Sequence, residues 1–172
     1  MKKILFVVFV FSCYFVKGQV LFSEVTFEIR NAGLVVNGHF EEVKGVIKFD
    51  PNALQKSSIK ATVGANDINT GIAARDKHLK KDTYFNVEKF PLILLESKFF
   101  GKTSDGFKGY FLLTMKGVSK DVIIPFTYVS GENHFYLKGS FELNRLDYGI
   151  GEKNMFMSNE VKINIFIKLE KK

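Results

Sequence analysis

Between Leu21 and Leu169 apolar side chains return at every second position, again and again. That period suits strands with one buried face and excludes a helical bundle, whose apolar positions would recur every three or four residues. Over Leu21 to Arg30, Val25, Phe27 and Ile29 face one way while Glu24, Thr26, Glu28 and Arg30 face the other. The same alternation marks Phe40 to Asp50, Ile59 to Ala65, Phe107 to Lys116, Val118 to Val129, Phe135 to Leu143 and Val161 to Leu169, and Leu92 to Phe100 reads as a further strand. Eight strands in succession, with turn residues between them, predict an all-β antiparallel barrel or sandwich.

The punctuation agrees. Asn31-Ala32-Gly33, Asn37-Gly38, Pro51-Asn52, Ser104-Asp105-Gly106, Gly117 and Ser130-Gly131-Glu132-Asn133 supply the turns. Gly45 predicts a bulge or bend in a long strand, and Pro125, which has no N–H for a ladder, predicts a bulge or irregular edge. Leu92 to Phe100 is apolar on both faces in its first half, as expected of a strand whose outer face is covered. The natural cover is Asn69 to Pro91, the one segment without alternation. It offers a Thr-Gly break, a short Ala-rich charged helix pattern and a Phe-Pro stop between the third and fourth strands. Leu146 to Asn159 is the other long unpatterned connection, of a length often used for function.

Several of these stretches resemble the YceI family of secreted bacterial proteins. Arg75-Asp76-Lys77-His78-Leu79, preceded by Asn69-Thr70-Gly71 and followed by Tyr84-Phe85-Asn86-Val87 and Lys89-Phe90-Pro91, is similar to the family's Arg-Asp-x-His-Leu and Phe-Asp-x-x-x-Phe-Pro run. Leu113-Thr114-Met115-Lys116-Gly117-Val118-Ser119-Lys120 and Asn144-Arg145-Leu146-Asp147-Tyr148-Gly149-Ile150-Gly151 continue the likeness in order. Two departures stand out: Asn69 replaces the family's usual Asp, and Leu95-Glu96-Ser97 replaces Phe-x-Ser. The resemblance implies an extended eight-stranded antiparallel β-barrel of lipocalin-like shape. It also implies that the interior holds a polyisoprenoid, a quinone or a similar long-chain amphiphile.

Met1-Lys2-Lys3 followed by the apolar run Ile4 to Val16 has the form of a secretory signal and is too short to cross a bilayer. Cleavage after Gly18 leaves residues 19–172 as one barrel domain and predicts export to the periplasm or beyond. The rival reading is a lipoprotein anchored at Cys13, the sole cysteine. Loss of Lys2, Lys3 and Lys17 takes 25 − 3 = 22 basic residues against 18 acidic ones, so the formal charge falls from +7 to +4. A mildly basic surface leaves association with an anionic membrane surface open, as it does homodimer formation. With no cysteine after the cut there is no disulfide and no thiolate chemistry.

Small residues among the apolar rows, Ala61, Gly64, Ala65, Gly109 and Gly139, predict room inside the barrel. Its expected lining is Phe27, Ile29, Ala61, Val63, Phe107, Phe111, Leu113, Phe126, Phe141, Ile163 and Ile165. Walls so poor in ionisable groups suit a long hydrocarbon chain. Arg75, Asp76 and His78 admit three roles: tying the insertion to its neighbours, contacting a phosphate or quinone head group, or acid–base catalysis. Neighbours at i+1 and i+2 do not share a helix face, and no nucleophile is paired with them, so no catalytic residue is assigned. His39, His78 and His134 lack any metal-ligand spacing, and no cofactor motif occurs. Export argues against nucleic acid as a partner. The alternatives carried forward are a partner-binding stress protein with a filled core, an isoprenoid-modifying enzyme and a small outer-membrane barrel.

Overall fold

A computed structural model describes residues 20–170. The predicted signal, its cleavage point and Cys13 lie outside the described residues. Ten strands form one antiparallel sheet: β1 (Val20–Asn31), β2 (Leu34–Phe40), β3 (Val43–Lys48), β4 (Ser58–Gly64), β5 (Ile68–Asn69), β6 (Leu92–Thr103), β7 (Gly106–Met115), β8 (Val118–Ser130), β9 (His134–Asn144) and β10 (Met157–Glu170). Their order is β3-β4-β6-β7-β8-β9-β10-β1-β2-β5.

Eight strands were expected and ten are found, because two are broken. β2 and β3 form one run of chain interrupted at Glu41 and Glu42, where it stops pairing with β1 and begins pairing with β4. A 3-10 turn at Ala65–Asp67 likewise separates β4 from β5, which returns to pair with β2. The two breaks let the sheet curl around a single lumen. Where β3 passes the first half of β1 there is no ladder, and Ser23 Oγ accepts a hydrogen bond from Val43 N at 3.1 Å.

No bulge forms at Gly45, which stays in register with Ala61, and the break in the run falls just before it. Pro125 also sits in register, opposite Lys108, without a bulge. Its missing donor coincides with the point where β9 leaves β8, for that ladder runs only from Phe126 to Ser130. At the β7–β8 turn Lys116 and Gly117 have φ of 49° and 76°, the left-handed pair that a two-residue hairpin turn requires.

The core divides along the barrel axis. At one end Phe49 plugs the lumen, with its ring centroid 5.5 Å from that of Phe100, 5.1 Å from Phe107 and Phe126, and 5.6 Å from Tyr128. At the other end lies the insertion, with α1 (Ala73–Leu79) as its helix. It was expected to cover the outer face of β6; instead Leu79, Tyr84, Phe85 and Val87 turn into the end of the barrel and pack on its second core cluster. Phe85 meets Phe40 edge to face at 6.2 Å. Packing there takes the insertion's apolar side chains out of water.

Candidate functional site

The alternation that makes each strand also lines its inner face, so the lumen inherits its walls from the strands themselves. An inner chamber of about 140 Å³ lies toward the Phe49 plug. It is walled by Ile47, Ile59, Ala61, Phe111, Leu137, Ile167 and neighbours of the same kind, and Thr62 alone contributes a polar side chain. The Thr62 hydroxyl has turned away to donate to Lys44 O at 3.3 Å. Walls of this kind offer water few hydrogen-bonding partners.

An outer chamber of about 240 Å³ follows toward the insertion. Phe40, Met115, Leu143 and Ile163 border both chambers, so the two are stretches of one lumen. The outer one adds a polar rim of Asn31, Thr70, Arg75, His78, Tyr84 and Arg145. Leu95, one of the two departures from the family pattern, lies in the wall of the inner chamber.

Of the lining expected from the sequence, Ala61, Val63, Phe111, Leu113, Phe126, Phe141 and Ile165 border the inner chamber, Phe27 and Ile29 the outer one, and Ile163 both. Phe107 does not border either. It sits among the aromatic plug, its ring 5.7 Å from Phe126, because it begins β7 at the closed end. Gly139 borders the inner chamber, as its small size suggested.

The helix separates the polar trio. Arg75 and His78, three residues apart, share the face that looks into the outer chamber, and Asp76 faces away. Asp76 Oδ1 accepts from Thr70 N at 2.9 Å and from the Thr70 hydroxyl. Thr70 in turn accepts from Arg75, its Oγ1 from Nε and its carbonyl from Nη2, each at 2.7 Å. Thr70 thus fixes the guanidinium through Nε and Nη2, and Nη1 keeps its donors free of partners among the described residues. His78 packs on the Tyr84 ring at 5.0 Å. Asn69, the other departure from the family pattern, uses its side-chain oxygen to accept from Gly71 N at 2.9 Å and so shapes the turn into α1.

Arg145 was not singled out from the sequence as a site residue. It is 3 % exposed, and its guanidinium donates to three backbone carbonyls, Ser158 O at 2.9 Å, Ile150 O at 2.8 Å and Glu152 O at 3.0 Å. No carboxylate pairs with it among the described residues. Burial lowers its pKa, and the Tyr84 hydroxyl pulls the other way. A guanidinium remains charged through such a shift, so the mouth of an apolar lumen holds an uncompensated positive charge. Gly151 makes this packing possible: a Cβ there would lie 2.8 Å from the Tyr84 ring and 3.0 Å from Arg145 Nη1, and its φ is +65°. The available signal was the arginine of the Asn144 to Gly151 stretch, placed where the strand pattern ends and the long unpatterned connection begins.

Among the described residues Asp76 and His78 are not arranged as a catalytic dyad. His78 has an aromatic neighbour where a general base would need an orienting carboxylate, and Asp76 is occupied by Thr70. Among the described residues no three His, Cys, Asp or Glu side chains cluster as metal ligands.

Comparison with known proteins agrees with this architecture. A UPF0312 protein of Yersinia pestis (strain Pestoides F) is 33 % identical over 109 residues, which are 63 % of this chain and 56 % of that protein. The match therefore spans little more than half the length of that relative. The crystal structure of Burkholderia cenocepacia BcnA superposes with a TM-score of 0.81 at 19 % identity, covering 85 % of this chain and 95 % of that one. A polyisoprenoid binding domain from Saccharophagus degradans, implicated in plant cell wall breakdown, superposes with a TM-score of 0.68 at 14 % identity, covering 91 % and 98 %. The family model described as the YceI-like domain matches residues 22–169, and the chain belongs to that family.

Proposed function

We propose that this protein carries a long-chain amphiphile, a polyisoprenoid or a lipid of similar shape, with its chain in the lumen and its polar head at the mouth. The observation that carries this reading is the polarity of the lumen, which is apolar from the Phe49 plug to the rim and cationic only at the rim. Each methylene transferred from water contributes roughly 0.8 kcal/mol, so about ten give on the order of 8 kcal/mol before the losses of association are subtracted. Arg75 and Arg145 supply the attraction for an anionic or strongly polar head, and His78 and Tyr84 add donors beside them. The neighbour that binds polyisoprenoid supports the class of ligand by analogy of fold.

Carriage needs no catalyst, and the reading assigns none. A filled core does not fit the two chambers, which weakens the alternative of a purely partner-binding protein. An outer-membrane barrel is disfavoured by polarity, since ion pairs such as Lys60–Glu96 and Lys98–Asp121 stand on the outer wall where lipid would be. Export to the periplasm or beyond, from the leader pattern at Met1 to Gly18, completes the proposal.

The test is native mass spectrometry of protein expressed with its own leader and purified without detergent, before and after organic extraction. One bound isoprenoid, quinone or fatty amphiphile per chain is the expected result. Protein that carries no adduct and takes up no added polyprenyl lipid would overturn the proposal.

A further inference from the structure

The mouth of the lumen ends in an apolar tip that no other described residue covers. The β1–β2 turn and the loop before β10 lie side by side, joined by Ala32 N donating to Phe156 O at 2.7 Å. Together they present Leu34, Met155 and Phe156, which are 72 %, 93 % and 69 % exposed, with Val35 beside them. Local bonding holds this presentation. Asn154 Oδ1 accepts from Phe156 N at 3.0 Å and from Met157 N at 2.7 Å, a turn that pushes Met155 outward. Asn31 and Met157, paired at the base of the tip, both border the outer chamber, so the tip is continuous with the cavity rim. Across the mouth Ile72 is a further exposed aliphatic residue, just ahead of Arg75.

We infer that this tip docks on the surface of an anionic lipid bilayer, so that cargo passes between membrane and lumen without crossing water. The inference rests on the carrier reading above. Three observations select a bilayer over a protein partner. The tip is built of two loop ends whose Leu34, Met155 and Phe156 side chains stand well clear of the chain, a form suited to shallow insertion among lipid head groups. Its own charges are Arg30 and Lys153 against Glu152, and neither cation has an ion pair among the described residues. Its apolar residues adjoin the rim of the outer chamber through Asn31 and Met157, at the end of the lumen where the cationic rim lies. Shallow insertion of exposed Leu, Met and Phe, helped by attraction of cations to anionic head groups, is how peripheral proteins hold a membrane reversibly.

The test is flotation of the purified protein with phosphatidylcholine vesicles containing about 30 % phosphatidylglycerol. Three forms are compared: the native chain, a tip variant (Leu34→Ser with Met155→Ser and Phe156→Ser), and a control altered on the outer wall at Phe99→Ser and Ile123→Ser. Phe99 and Ile123 are 56 % and 55 % exposed, so the control removes exposed apolar side chains from the outer wall, away from the mouth. The tip variant is expected to partition about tenfold less than the native chain, and the control to partition as the native chain does. Thermal melts and uptake of a long-chain isoprenol added from ethanol keep the two proposals apart. Docking is overturned if the native chain takes up isoprenol yet fails to float, if the folded tip variant floats undiminished, or if the control loses as much as the tip variant. Loss of isoprenol uptake by the native chain, with tip-dependent flotation retained, would sink the cargo reading and leave docking standing.

Discussion

The two ends of the lumen are built by opposite rules. The inner chamber is made of strand residues whose neighbours are interchangeable hydrocarbons, and its properties follow from volume and apolar walls. The mouth is made of loops and a short helix, and each polar group there has a specific partner: Thr70 for Arg75, backbone carbonyls for Arg145, the Tyr84 ring for His78. The contrast teaches where selectivity resides. On the carrier proposal, the inner chamber would select for chain length and girth, and the mouth for charge and geometry.

Breaking the mouth should therefore have the largest effect. Arg145→Met would leave the carbonyls of Ser158, Ile150 and Glu152 without their donor in a buried loop. We expect a loss of about 3–5 kcal/mol, read from urea unfolding, with Arg145→Lys recovering little because one ammonium cannot replace the planar fork.

Alkaline pH should attack the same end. Burial, aided by the charge of Asp147, pushes the Tyr148 hydroxyl up to about 12 from its ordinary 10.0. An acid whose pKa is raised on folding stabilises the protein fully below its unfolded value and loses that contribution as pH climbs toward the folded one. Stability should thus fall by roughly 2–3 kcal/mol between pH 10 and 12, and Tyr148→Phe should remove the fall. A pH-dependent melt that is unchanged in Tyr148→Phe would show that another group governs the alkaline limb.

In the inner chamber a different kind of change matters. Ala61→Phe places a ring in a cavity of about 140 Å³ and should lower affinity for long chains about tenfold or more. Chains too short to reach that chamber should bind as before. The unfolding midpoint should move little, because the ring enters existing space. Equal loss for short and long chains in isothermal titration would contradict the division into two chambers.

The smallest effect sharpens the head-group side. Arg75→Ala should weaken an anionic amphiphile about five- to tenfold and its neutral analogue little, with stability lowered by less than about 1 kcal/mol. Uniform weakening of both ligands would mean that Arg75 shapes the wall without touching the head.

This division also explains what was legible in the sequence. Period-two alternation assigns Phe27, Ala61, Phe111 and Ile163 to the inner face because a strand's geometry leaves a side chain only two directions. Phe107 obeys the same alternation, yet alternation carries no information about height along the barrel, and Phe107 falls in the plug. The breaks at Glu41–Glu42 and Ala65–Asp67 depend on which strand the chain must leave and which it must join, a tertiary demand that local pattern does not record. At the mouth, the separation of Asp76 from Arg75 and His78 follows from helix periodicity and was open to reasoning. The burial of Arg145 was not, since its partners are carbonyls, and every residue carries one. The turn of the insertion into the barrel end, bringing Tyr84 to Arg145, was hidden for the same reason.

The central claim is orientation, with the tail toward Phe49 and the head toward Arg75 and Arg145. The direct measurement is paramagnetic broadening of isoleucine and leucine methyl signals by an amphiphile spin-labelled either at the head or at the tail end. The account predicts that the tail label broadens Ile59, Leu137 and Ile167, which border the inner chamber. It predicts that the head label broadens Leu79 and Ile150, which border the mouth. The reverse pattern, or broadening confined to surface methyls with either label, would contradict it.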